Sequence, residues 1–254
     1  MRLILTGATG LVGSATLNHI LTNALPAGEI SALYILSRSP VPMAENKENV
    51  TVITHKNFNE YPAELLEKLK GADGCIWAQG ISQAQVSKDE YVKITLDYPL
   101  AAAEAFASLS DEFKFVYVSG EGATQTPNFL TPFFGTIKGR AESALIELSK
   151  KHPSLRPYSV RPAYVDFSQD PKVQELMRQR PDQQTFMKKG LHTVFGPVMR
   201  NVFSGSHSPT PYLAKFLTDV ARGGVKSGLD VGDEGITGGG SIISNKALRR
   251  VMGL

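Results

Sequence analysis

The sequence predicts an α/β protein: a doubly wound, mostly parallel sheet of the Rossmann type with a small helical C-terminal cap. Three observations carry this. Short apolar runs of strand length alternate with helical stretches as far as Pro162, a glycine-rich turn joins the first strand to the first helix, and beyond Pro162 the alternation stops.

Arg2–Thr6 reads as a buried strand, and from Leu11 to Asn23 the apolar Leu11, Val12, Ala15, Leu17, Ile20 and Leu21 recur at helical spacing. Ala32–Leu36 and Val50–Thr54 follow as strands, Tyr61–Lys70 as a helix closed by Gly71, and Asp73–Gln79 as the fourth strand. Lys88–Leu109 is helical, with Pro99 kinking it or splitting it in two, because proline lacks an N–H and its ring meets the carbonyl four residues back. Phe113–Ser119 is the fifth strand, Phe133–Lys151 a helix, and Ser159-Val160-Arg161 ends the sixth strand just before Pro162. Pro171–Arg180, Phe186–Phe203 and Pro209–Arg222 then read as helices, with no clear strands among them. Gly232–Gly240 has five glycines in nine positions and reads as a mobile loop before a short Ile242-Ile243 strand and a last helix.

Composition narrows the function classes. The 254 residues and 42% hydrophobic content suit one soluble globular domain. Lys and Arg number 27 against 24 Asp and Glu and are scattered, which gives no case for a nucleic-acid partner. Cys75 is the single cysteine and lies in an apolar run, so it reads as a core residue in a reducing compartment. The first strand begins within a few residues of Met1, which leaves no room for a signal or transit segment, and no apolar run approaches the roughly 20 residues of a membrane span. A cytoplasmic location is therefore expected.

The turn Gly7-Ala8-Thr9-Gly10-Leu11-Val12-Gly13 follows a strand and opens a helix, the context in which a glycine motif binds a dinucleotide. Gly7 permits the tight turn, Gly10 lets the backbone approach the diphosphate, and Gly13 allows close helix–strand packing. The backbone of Thr9, Leu11 and Val12 completes the cradle, with free N–H groups at the helix start facing the negative charge. At the end of the second strand stands Ser37-Arg38-Ser39, without an acid to accept the ribose 2′-hydroxyl. Arg38 suits a 2′-phosphate, so NADP(H) is favoured over NAD(H); the alternative is a solvated loop charge. Asn57-Phe58 and Ala78-Gln79-Gly80, after the third and fourth strands, are placed to line the adenine and ribose sites. Residues 1–162 are thus mainly the dinucleotide-binding core of a single domain, and residues 163–254 mainly its substrate cap and C-terminal elements.

With these residues the chain resembles the atypical short-chain dehydrogenase/reductase superfamily, in the branch of the Tat-interacting oxidoreductase-like protein and its fungal relatives. Besides the glycine turn, the resemblance rests on Asp97-Tyr98, Val118-Ser119 with Gly122-Ala123, Lys138-Gly139 followed by Glu142, Arg161-Pro162, and Gly205-Ser206-His207-Ser208. It implies a catalytic lysine, Lys138, which holds the nicotinamide ribose and lowers the pKa of a tyrosine four residues before it. That position is Phe134, so the phenolic proton is missing. Ser119 sits early for the family serine, and Gly120 and Glu121 stand where a second hydroxyl is usual. Substitutes are Tyr164, Thr131, Thr124 or His207, each with a structural alternative: ring packing on the cofactor, helix capping, or loop anchoring. Glu121 is either a general base or an exposed loop charge.

The expected catalytic residues are therefore Lys138, Ser119 and Tyr164, with Lys138 and Pro162 also at the cofactor. The expected activity is NADPH-dependent reduction or isomerisation of a small hydrophobic carbonyl or enone, and the alternative is a catalytically silent NADP(H)-binding sensor or scaffold. Phe186–Phe195, apolar with a basic edge at Lys188-Lys189, suits a pocket closure, with a membrane surface or a homodimer face as alternatives. The branch adds the outer mitochondrial membrane surface as an alternative location.

Overall fold

The computed structural model describes residues 1–180, 198–199, 202–223 and 228–254. In chain order the elements are β1 (Arg2–Thr6), α1 (Leu11–His19, continued by a π-helical turn Ile20–Ala24), β2 (Ala32–Ser37), β3 (Val50–Thr54), α2 (Ala63–Leu69), β4 (Gly74–Trp77), α3 (Lys88–Val92, then a π-helical turn Lys93–Asp97), α4 (Tyr98–Phe106), β5 (Phe113–Val118), α5 (Phe133–Lys151), β6 (Leu155–Val160), β7 (Tyr164–Asp166), α6 (Pro171–Gln179), β8 (His207–Pro209), α7 (Thr210–Arg222), β9 (Ile236–Thr237), β10 (Ile242–Ile243) and α8 (Asn245–Met252).

Eight strands form one sheet in the order β3-β2-β1-β4-β5-β6-β10-β9, parallel except for β9 at the edge. Residues of a strand point to alternate faces. Leu3 and Leu5 pack with Leu33, Ile35 and Ile76 under α1 and α7, whereas Ile4, Cys75, Trp77 and Phe115 pack under α4 and α5. Both faces are covered, which is why the strands read as unbroken apolar runs. The core reading of Cys75 holds, since the residue is fully buried.

Several boundaries differ from expectation for local reasons. Pro62 is extended (ψ 151°) and caps the helix, so α2 begins at Ala63 rather than Tyr61. The expected helix is divided, but by a π-helical turn that ends just before Tyr98-Pro99, and Pro99 itself stands in the first turn of α4. The Thr95 carbonyl, four residues back and denied a proline donor, accepts from the buried Tyr117 hydroxyl at 3.0 Å. The stretch after Pro162 does contain strands: β7 and β8 pair in parallel as a separate two-stranded ladder, Tyr164 opposite His207. The glycine run is not simply a loop, for Ile236–Thr237 pairs with β10 and Gly238–Gly240 form a 3₁₀ turn. Of the elements beyond Pro162, α7 packs against α1 and β10 extends the main sheet. The helix expected at 186–203 and the Phe186–Phe195 stretch lie almost wholly or wholly outside the described residues. Among the described residues no helix is long and apolar enough to cross a membrane.

Candidate functional site

The sheet order reverses direction between β1 and β4, and the carboxyl ends of the strands around that point open onto a cleft of about 930 Å³. Its lining draws on the turns that follow β1, β2, β4, β5 and β6: Gly10-Leu11-Val12, Arg38, Ala78-Gln79-Gly80, Ser119-Gly120-Glu121 and Pro162. A smaller adjoining compartment is lined by Gly7, Thr9, Ser37, Arg38, Ser39 and Phe58, among others. The residues expected at the cofactor therefore border one continuous groove, except that Asn57 turns its side chain to the Asn59 N–H and Gly13 lies behind the turn.

The glycine turn has the shape a dinucleotide needs. Gly7 has φ +70°, and a Cβ there would lie 2.4 Å from the Ala78 carbonyl oxygen. A Cβ on Gly13 would lie 2.0 Å from the Gly7 carbonyl oxygen, so the helix can meet the turn this closely only at glycine. No side chain caps α1, and its first turn carries no acid, which leaves the N-terminal amides to a ligand. The residues present thus fit the diphosphate of a nicotinamide dinucleotide.

On the other wall, α5 carries Lys138. A Cβ on Gly139 would lie 1.8 Å from the Thr124 carbonyl oxygen and one on Gly135 2.4 Å from that of Gly122, so the loop after β5 rests directly on this helix. This contact sets Lys138 beneath Gly120, where its Nζ donates to the Ser119 carbonyl. Desolvation by its surroundings lowers the Lys138 pKa to about 8, with the Glu142 carboxylate pulling the other way. Glu142, one helical turn on, is fully buried. It accepts from Arg161 in bidentate fashion (Nε–Oε1 2.8 Å, Nη2–Oε2 2.5 Å) and from the Ser119 hydroxyl at 2.6 Å. One carboxylate therefore ties α5 to the ends of β5 and β6, and the Ser119 proton is directed into the protein rather than into the cleft.

Phe134 and Tyr164 both line the cleft, Phe134 with its backbone N–H donating to Gln83 Oε1 at 2.9 Å. The other substitutes lie elsewhere. His207 Nε2 faces Asp166 Oδ2 at 3.0 Å between the strands of the small ladder, and the Thr124 and Thr131 hydroxyls are used within their own loop. Glu121 borders the cleft, yet its Oε2 accepts from the N–H of Asn245 at the start of α8. Arg180 went unforeseen. It follows α6 and donates from Nη1 to the Thr9 carbonyl at 2.7 Å, and it lines both compartments. At the end of a helix an arginine ordinarily reads as a solvated charge, and no spacing in the sequence connects it to a turn 171 positions away.

Leucinostatins biosynthesis cluster protein T of Purpureocillium lilacinum is 35% identical over 218 residues, covering 79% of this chain and 77% of that one. Botcinic acid biosynthesis cluster B protein 16 of Botryotinia fuckeliana is 36% identical over 159 residues, 61% of this chain and 98% of that one. No family model matches. Among solved structures, dTDP-glucose 4,6-dehydratase of Streptomyces venezuelae with NAD bound superposes with a TM-score of 0.63 over 100% of this chain and 79% of that one, at 13% identity. A short-chain dehydrogenase/reductase family oxidoreductase of Burkholderia thailandensis gives 0.60 over 99% and 95%, at 16% identity. UDP-glucuronic acid 4-epimerase of Bacillus cereus in complex with NAD gives 0.62 over 96% and 76%, at 15% identity.

Proposed function

We propose that this chain, which belongs to the family of leucinostatins biosynthesis cluster protein T and has the short-chain dehydrogenase/reductase fold, is an NADP(H)-dependent oxidoreductase acting on a small hydrophobic carbonyl or enone compound. The observation that carries it is the groove running from the Gly7–Gly13 turn and Arg38 to Lys138. Both curated relatives are named for biosynthesis clusters, which supports a substrate that is itself a biosynthetic intermediate.

When bound, the reduced nicotinamide supplies hydride to the carbonyl carbon or to the β-carbon of the enone. Lys138 holds the ribose and keeps a positive charge where negative charge develops on the substrate oxygen. Tyr164 delivers the balancing proton from the far wall of the cleft, the position of Phe134 offering none. Ser119 serves through Glu142, fixing the loop whose carbonyl steadies Lys138. Phe134, Ile81, Val165 and Met199 give the cleft the apolar walls that suit a hydrophobic substrate.

Phe134 and the inward-turned Ser119 hydroxyl also favour a second reading, a silent sensor that binds NADP(H) without turnover. Fluorescence titration with NADPH and NADH, with Arg38→Ala alongside, tests the cofactor. Tight NADPH binding whose preference over NADH disappears in Arg38→Ala is expected, and failure of both nucleotides to bind at millimolar levels removes both readings. Oxidation of NADPH by any member of a carbonyl and enone panel, lost in Lys138→Ala, establishes the enzyme. Binding without oxidation across the panel leaves the sensor.

A further inference from the structure

We infer that Arg180 is a second arginine for the cofactor's 2′-phosphate, delivered to the site by α6 from the far side of the groove; this rests on the NADP(H) reading above. The placement is built from the core outward. Val173 and Met177, buried on one face of α6, pack against Ala15 and Leu11 of α1 and Ala214 of α7. At its start α6 is capped by Asp170, whose Oδ1 accepts from Val173 N at 3.1 Å and lies 3.5 Å from Asn18 Nδ2, in the second half of α1. The helix therefore runs back along α1 toward the glycine turn and ends where the phosphate-binding amides begin. There the Thr9 carbonyl holds the guanidinium at 2.7 Å.

Arg180 and Arg38 both line the smaller compartment, together with Ser37 and Ser39 at the end of β2. Two guanidiniums lining one compartment match the double negative charge of a phosphate monoester, and each planar fork can donate to two of its tetrahedrally arranged oxygens. A ribose 2′-hydroxyl would use neither charge.

Wild type, Arg180→Ala and Arg180→Lys are titrated with NADPH and with NADH by fluorescence, with Arg38→Ala as reference. Expected is a loss of about tenfold or more for NADPH in Arg180→Ala, with NADH affinity changed less than about twofold, since only the charge-assisted pair is removed. Arg180→Lys keeps the charge and the helix end and should fall between. Equal losses with both nucleotides would make Arg180 a ligand of the shared diphosphate, and no loss with either would leave it a brace for Thr9; each overturns the inference. A wild-type protein that holds NADPH and NADH alike defeats the NADP(H) reading first, before any variant is compared.

Discussion

At the scale of single residues, Lys138 gathers most of the chemistry and gives a pH dependence with a definite sign. Its pKa of about 8, set by desolvation against the pull of Glu142, means that the ammonium is present below that pH and lost above it. Turnover that needs this charge should fall as pH rises through about 8. Folding stability should move the other way. An unfolded lysine titrates near 10.4, so between about 8 and 10 the unfolded chain binds more protons than the folded one and stability contributed by this group rises with pH. A kcat/KM profile from pH 6 to 10, run beside thermal melts, checks both signs; a flat profile through pH 8 would show that the lysine charge takes no part. Lys138, Glu142 and Arg161 were marked in the sequence by the short motifs that carry the family resemblance, Lys138-Gly139 with Glu142 and Arg161-Pro162. What could not be read was their wiring, because the bidentate pair and the Ser119 hydroxyl depend on which helix face meets which strand end.

At the scale of elements, the helical stretch that contains Pro99 shows how a backbone fault is repaired from outside. Tyr117 is 2% exposed, and its hydroxyl reaches the Thr95 carbonyl. Tyr117→Phe leaves that buried acceptor without this donor and should cost about 1–3 kcal/mol, read as a lower denaturant midpoint at unchanged slope. In a Pro99→Ala background the restored N–H can serve the same carbonyl, so the cost of Tyr117→Phe should shrink; an undiminished cost would mean that the hydroxyl matters for some other reason. Proline and glycine punctuation and apolar alternation made the strands of the main sheet and most helices legible. The failures share a cause. β7, β8 and β9 are two or three residues long and one contains Pro209; β7 and β8 are strands only because a distant partner offers a ladder, and β9 only because the Gly238–Gly240 turn folds it back onto β10, which no local propensity records.

At the scale of the whole molecule, the order β3-β2-β1-β4-β5-β6 brings five strand ends to one groove, so a bound dinucleotide would bridge the β1 turn, the end of β2, α5 and α6 at once. Binding to the folded state alone stabilises by mass action, about 2.7 kcal/mol at a nucleotide concentration one hundred times Kd. For a chain of this size each kcal/mol moves Tm by about 2–4 °C, so saturating NADPH should raise it by about 5–10 °C. NADH at the same concentration should raise it less, and Arg38→Ala should bring the NADPH shift down to the NADH value. The shift reports on the groove without any need for turnover, so it holds for an enzyme and for a sensor alike. An unchanged Tm at millimolar NADPH would mean that the glycine turn, though shaped for a diphosphate, holds none.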